Sequence, residues 1–256
     1  MFLTGIIGFP LIKTLSPEMH NRAFRALGLE GRYLTFRVKG NDLKSALQGL
    51  KALGFSGVNI TNPYKEKVID LLDQIDRRAK KIGAVNTIVI RDRRLYGYNT
   101  DAEGFEISLA VCRIHLRRKK VLLIGAGGGA RAVAYVLRKN RPEKYYVCNR
   151  TRKKAMKLIQ VFGGELLKSN RLEKSLPEFD LVINATTVDL QARCLKRMRK
   201  GSTYYDLNYR FKTRKKKGVK MVNGLLMLVY QGAGSFRLWT KRRPPIKVMK
   251  RAVGVI

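Results

Sequence analysis

The stretch Val121-Leu-Leu-Ile-Gly-Ala-Gly-Gly-Gly-Ala130 decides the fold of the second half of this chain. A strand-length apolar run breaks into glycines and gives way to a helical pattern from Arg131 to Leu137. That is the strand–turn–helix opening of a dinucleotide-binding βαβ unit. Gly125 permits the tight turn, Gly127 lets the backbone approach a pyrophosphate, and Ala130 is small where helix and strand pack. Ala126, Gly128 and Gly129 complete the loop. The pyrophosphate is expected on free N–H groups at the helix N-terminus, where the helix dipole favours negative charge. Further on, the run Tyr145-Tyr-Val-Cys-Asn-Arg-Thr151 ends in Asn149, where an NAD-specific site carries an acid for the ribose hydroxyl. Here the acid is missing, and Arg150, Thr151, Arg152, Lys153 and Lys154 follow. A cationic turn suits a 2′-phosphate, so the cofactor implied is NADP rather than NAD. A glycine-rich turn alone is shared with flavin and methyl-donor proteins; the basic second turn narrows the reading.

Working outward, the chain reads as an α/β protein of two lobes. From Thr4 to Tyr98, strand-like runs (5–9, 32–38 and 57–60) alternate with helical patterns (17–27, 41–53 and 65–72). Residues 87–91 and 94–98 read as a hairpin around Asp92-Arg93, which puts Asn86 opposite Asn99. A connecting helix is expected from Ala102 to about Ile114. Residues 1–101 form the first lobe, completed by returning helices in 225–256, and residues 102–224 form the Rossmann-like nucleotide lobe. The active site is expected in the cleft between them.

Composition sets limits. The longest apolar runs are strand-sized, so no membrane span is expected, and the apolar N-terminus reads as a first strand rather than a signal peptide. Cys112, Cys148 and Cys194 are widely spaced and odd in number, which gives no metal pattern and no disulfide framework and points to a reducing cytoplasm. The net charge of +36 is unusual. Residues 1–100 hold 17 basic and 8 acidic residues, whereas 101–256 hold 37 and 10. No nucleic-acid-binding motif accompanies these clusters, so a solvated basic surface is favoured over a specific nucleic-acid function.

Seven motifs then fall in one order: residues 7–21 (IGFPLIKTLSPEMHN), 57–65 (GVNITNPYK), 83–87 (GAVNT), 97–101 (GYNTD), 149–151 (NRT), 184–186 (NAT) and 231–233 (QGA). Together they resemble the shikimate dehydrogenase family over nearly the whole chain. The resemblance implies a cytoplasmic enzyme of aromatic amino-acid biosynthesis, a monomer or homodimer without a metal, that reversibly reduces 3-dehydroshikimate to shikimate with NADPH. Its partners would then be the small-molecule substrate and NADP, with no specific nucleic acid and no membrane.

Hydride delivery to a ketone leaves an alkoxide, so a donor must supply a proton there. Lys65, just past Pro63 at the start of a helical pattern, is the candidate, and Asp101 is the carboxylate that would orient it. Taken alone, Lys65 reads equally as a solvated lysine and Asp101 as an N-cap for the following helix. For a hydroxylated ring with one carboxylate, Thr14 and Ser16 before the Pro17 helix, Asn59 and Thr61 on one strand face, Asn86 and Gln231 supply hydroxyls and amides. The resemblance assigns these and Tyr209 to substrate, and adds Thr186 and Gly224 to the cofactor.

The chain also departs from the family pattern. Thr14 replaces a serine, which could change the ring accepted and raises quinate as an alternative substrate. Asp189 stands where glycine is usual, an unexpected carboxylate near the nicotinamide end, and Asn223-Gly224 replaces Asp-Gly. Residues 190–200 and 210–217 are short and basic, so a strand or helix of the second lobe is expected to be trimmed. These departures keep open a weakly active scaffold that binds anionic partners instead.

Overall fold

The structure, a computed structural model, describes residues 1–11 and 14–255; Ile12 and Lys13 of the first motif, and Ile256, lie outside the described residues. The chain forms two compact units, Met1–Phe105 with Leu226–Ile256, and Glu106–Leu225.

The first unit opens with β1 (Phe2–Gly8), α1 (Ser16–Ala26), β2 (Gly31–Arg37), α2 (Leu43–Ala52) and β3 (Gly57–Ile60). It continues through β4 (Gln74–Ile75), α3 (Arg77–Ile82), β5 (Thr87–Arg91), β6 (Arg94–Tyr98) and the start of α4 (Asp101–Val111). The strands make one sheet in the order β2-β1-β3-β5-β6-β4. β1 runs parallel to β2 and β3, while β5 is antiparallel to β3 and β6. The hairpin has the expected two-residue turn. Asp92 and Arg93 both take positive φ, 50° and 56°, the conformation that matches strand twist in a type I′ turn. Its register pairs Thr87 with Tyr98, which sends Asn86 and Asn99 out at the same end. Ile7, Leu47, Val58, Ile60, Val68 and Ile88 fill the core on one face of the sheet.

The second unit contains β7 (Lys120–Ile124), α5 (Gly128–Asn140), β8 (Lys144–Cys148), α6 (Arg152–Phe162), β9 (Glu165–Leu166) and α7 (Leu172–Ser175). After these come β10 (Leu181–Asn184), α8 (Gln191–Arg197), β11 (Thr203–Asp206) and β12 (Lys220–Val222). All six strands are parallel, in the order β12-β11-β10-β7-β8-β9. Val121–Ile124 are buried throughout, as a central parallel strand covered on both faces requires. The strand order reverses between β7 and β10, and in such sheets ligands bind outside the strand C-termini at that reversal. Of the two short basic segments, 190–200 carries the brief α8, and residues 207–219 between β11 and β12 contain no helix among the described residues.

The chain then enters α9 (Leu225–Thr240) and α10 (Ile246–Ala252). α9 lies against α1 within the first unit, with Phe24 and Phe236 ring centroids 5.0 Å apart and His20 and Trp239 5.5 Å apart. The Trp239 indole N–H donates to Ile88 O at 2.9 Å, which anchors α9 to β5. Among the described residues no helix is long and apolar enough to cross a membrane.

Candidate active site

Two polar segments emerge where the β5–β6 hairpin opens, and they close on each other through Asn86. Its Oδ1 accepts from Thr100 N at 2.7 Å. Its Nδ2 lies 2.9 Å from Thr100 Oγ1, 3.0 Å from Asp101 Oδ1 and 3.1 Å from Gln231 Oε1. The other carboxylate oxygen, Asp101 Oδ2, receives Lys65 Nζ at 2.6 Å. The Asp101 side chain is 5% exposed and that of Lys65 18%, so the pair is shielded yet open at the lysine end. Asp101 begins α4, where the helix dipole favours its charge. The cap expected of Asp101 is supplied by Asn99 instead. Asn99 Oδ1 accepts from Ala102 N at 3.2 Å, leaving both Asp101 oxygens for side chains.

Lys65 departs from expectation in its backbone. The pattern at 65–72 predicts a helix beginning at Lys65, but the segment forms a 3₁₀-helix over Lys67–Leu71. Lys65 sits in the preceding turn, fixed by Val85 N donating to its carbonyl at 2.7 Å. Its position is set by that strand-end contact and by Asp101.

Asn59, expected to meet a ligand together with Thr61, is buried and bonded to neighbouring side chains behind Asn86. Its Oδ1 accepts from Tyr33 OH at 2.8 Å, and its Nδ2 reaches Asn86 O, Thr87 Oγ1 and Ser235 Oγ at 3.0, 3.1 and 2.9 Å. Thr61 lies one residue beyond β3, half-buried. Thr14 and Ser16 are brought together at 3.2 Å between hydroxyl oxygens, before an α1 whose first turn has no side-chain cap. Gln231, on α9, donates to Leu228 O at 3.0 Å while its Oε1 takes the Asn86 amide.

Sequence reasoning missed the residues that brace this cluster. Ser235 lies one turn beyond Gln231 and donates to its carbonyl at 3.1 Å, and its Oγ is 2.8 Å from Thr87 Oγ1. Thr87 and Thr100 stood inside quoted motifs without a role; Ser235 was signalled only by its i+4 spacing from Gln231.

In the second unit the backbone dominates. Gly125 has φ +116°, and a Cβ there would lie 3.1 Å from the Ala185 carbonyl carbon, so the turn after β7 needs glycine. Ala126 is half-buried and Ala130 fully buried at the helix–strand contact. Gly127 occupies the N-cap position of α5 with no side-chain cap, and a Cβ on it would meet open space. Gly128 and Gly129 follow, half-buried, in the first turn. The amides of that turn therefore remain available to an anion. After β8, Asn149 Nδ2 donates to Thr151 O at 2.9 Å, and Thr151 is the uncapped N-cap of α6. Arg150, Arg152, Lys153 and Lys154 are exposed beside it.

At the C-terminal ends of β10 and β12, Thr186 donates its hydroxyl to Asn184 Oδ1 at 2.8 Å, and Gly224 is buried. Tyr209 is half-buried past β11. Asp189, the unexpected carboxylate, accepts from Gln191 N at 3.0 Å, in the turn before the short α8. Asn223 Oδ1 accepts from Leu225 N at 3.2 Å, the cap that an aspartate would give, since the two are about equal as N-caps. Among the described residues no three His, Cys, Asp or Glu side chains gather as metal ligands.

A doubly wound parallel sheet with an open glycine turn, joined to an α/β unit carrying a shielded lysine–carboxylate pair, defines the class of two-domain nicotinamide-dependent oxidoreductases. Family models agree. Residues 6–88 match the shikimate dehydrogenase substrate binding domain, 108–201 match shikimate / quinate 5-dehydrogenase, and 224–253 match the shikimate 5'-dehydrogenase C-terminal domain. The chain is 44% identical over 271 residues to a shikimate dehydrogenase (NADP(+)) of Carboxydothermus hydrogenoformans, covering 99% of this chain and 96% of the relative. The crystal structure of shikimate dehydrogenase from Aquifex aeolicus superposes with a TM-score of 0.91 at 38% identity, covering 99% of this chain and 97% of that one. That of Thermus thermophilus shikimate 5-dehydrogenase, in complex with NADP(H) and shikimate, gives 0.89 at 35%, covering 99% of each. The chain belongs to the shikimate dehydrogenase family.

Proposed function

We propose that this chain reversibly reduces 3-dehydroshikimate to shikimate with NADPH, in the cytoplasm and as a monomer or homodimer. The observation that carries the reading is Lys65 Nζ held 2.6 Å from Asp101 Oδ2 within the cluster of Asn86 and Gln231.

NADP(H) fits the second unit on three counts: the uncapped first turn of α5, the open space at Gly127, and the exposed cations 150 and 152–154 for a 2′-phosphate. Residues 125–130, Asn149, Arg150, Thr151, Lys154, Thr186 and Gly224 would hold it. When bound, the nicotinamide supplies or accepts the hydride.

The protein's own part is the proton. In the reducing direction the Lys65 ammonium gives a proton to the oxygen that becomes the hydroxyl, and the partly exposed amine is recharged from solvent. In the oxidising direction the neutral amine takes that proton back. Asp101 orients the amine throughout and offsets its charge. Asn86 and Gln231, cross-bonded through their amides, and the Thr14–Ser16 hydroxyl pair bind the hydroxyls and carboxylate of the ring, with Thr61 and Tyr209 completing the set. Asn59, bonded to the Asn86 carbonyl, joins this set and holds Asn86 in place.

The methyl of Thr14 favours a second reading, in which quinate is also accepted. Asp189 gives no support to a weakened enzyme, because its carboxylate is engaged by the Gln191 amide. The test is the reduced-nicotinamide absorbance with shikimate or quinate against NADP⁺ or NAD⁺. The fastest rise is expected with shikimate and NADP⁺; no rise with any of the four pairs sinks the proposal.

A further inference from the structure

Asn184 and Asp206 are the last residues of adjacent parallel strands, paired in register, and both are buried. Asn184 Nδ2 lies 3.3 and 3.4 Å from the two oxygens of the Asp206 carboxylate. The same nitrogen is 2.9 Å from Val188 O, while Asn184 Oδ1 accepts both the amide and the hydroxyl of Thr186. On its other side Asp206 Oδ1 accepts from Asn208 N at 2.9 Å, and Asn208 Nδ2 reaches across to Thr187 O at 3.4 Å. The backbone repeats the link, with Leu207 N donating to Asn184 O at 2.9 Å. A third loop joins them, since a Cβ at Gly224 would come within 2.1 Å of Leu207 O. The segments after β10 and β11 thus converge on one buried carboxylate, and the segment after β12 packs on the backbone carbonyls beside it.

A buried carboxylate is expensive unless it is paired, and Asp206 has no ion pair among the described residues. An amide or an apolar residue would serve folding at lower cost. The geometry points to Asp206 as a positioning residue that sets cofactor affinity, holding Thr186 and Gly224 through Asn184 and Leu207. It acts through these loops and touches no reacting atom. The inference rests on reading Thr186 and Gly224 as cofactor contacts.

Asp206→Asn keeps the shape but turns one acceptor into a donor facing Asn184 Nδ2. KM for NADP⁺ is expected to rise about tenfold, with KM for shikimate and kcat within about twofold of wild type. A global loss of structure would not make that split. An unchanged KM for NADP⁺, or an equal rise in both KM values, overturns the inference. Should Asp206→Asn fail to fold, Asn208→Ala carries the same readout from the partly exposed side: a rise of about threefold supports the link, and no rise overturns it. Fluorescence titration with NADPH separates the two claims. Wild type that binds NADPH but does not oxidise shikimate sinks the proposed reaction, and the titration of the variant still judges Asp206.

Discussion

In the first unit the site is made of side chains, with Lys65, Asp101, Asn86 and Gln231 held to one another and braced from behind by Asn59, Thr87 and Ser235. In the second it is made of main chain: a glycine turn, two uncapped helix starts, and strand-end loops stitched by Asn184 and Asp206. The contrast matches what each must recognise. A ring bearing several hydroxyls needs donors and acceptors at particular points, whereas a diphosphate is satisfied by any array of convergent N–H groups. Truncating a side chain should therefore damage the first site more, and adding a Cβ should damage the second.

Three measurements bear on that contrast. The largest effect is expected from Lys65→Ala, which should lower kcat by about 10²–10⁴-fold while NADPH affinity stays within about twofold. Steady-state rates and a binding titration check it, and an undiminished kcat would remove the proton donor from the scheme.

Acid should separate the units next. His20 is fully buried, neither ring nitrogen has a hydrogen-bond partner, and it stacks on Tyr33 at 4.4 Å. Burial pushes its pKa down to about 3. The unfolded chain therefore binds a proton near pH 6.5 that the folded first unit refuses, and stability falls as pH drops below 6.5, by up to about 1.4 kcal/mol per unit. Asp206 works in the opposite sense. Burial raises its pKa to about 6, against the hydrogen bonds from Asn208 and Asn184, so the folded second unit takes up a proton before the unfolded chain does. Its contribution to stability grows as pH falls from about 6 toward the ordinary carboxylate range, and is lost as pH rises through 6. Hydrogen exchange at pH 7 and pH 5 should show protection falling in 1–105 and rising in 106–225. Equal loss in both would refute the assignment, and His20→Phe should abolish the fall in 1–105 while leaving the rise in 106–225.

Gly125→Ala is the smallest of the three. Strain of about 1–3 kcal/mol at φ +116° should weaken NADP⁺ binding about tenfold or more and leave KM for shikimate nearly unchanged. A shift confined to shikimate would mean that the glycine turn serves another purpose.

Where a rule acts on the backbone, the sequence was readable. The glycine turn after β7 and the two-residue hairpin at Asp92-Arg93 came out as expected, because sterics alone dictate both. The segment after Lys65 was misread because its apolar spacing fits a 3₁₀ turn as well as an α-helix. α3 is hard to read because its sequence, Arg77–Ile82, is mostly charged and buries only Ala79 and Ile82; its signals are Asp76, accepting from Arg78 N and Ala79 N, and Gly83 in the left-handed C-cap. In the proposed site, motif order named Lys65, Asp101 and Asn86, which the structure gathers into one cluster. It could not reveal the partners of Asn59, since those depend on Tyr33 and Ser235 arriving from elsewhere in the chain.

Because Asn99, and not the acid two residues on, closes the first turn of α4, capping and charge are kept on separate residues. Position 101 is thereby released from the cap. An uncharged residue could occupy it with α4 still begun, so the carboxylate is spent on Lys65 and Asn86.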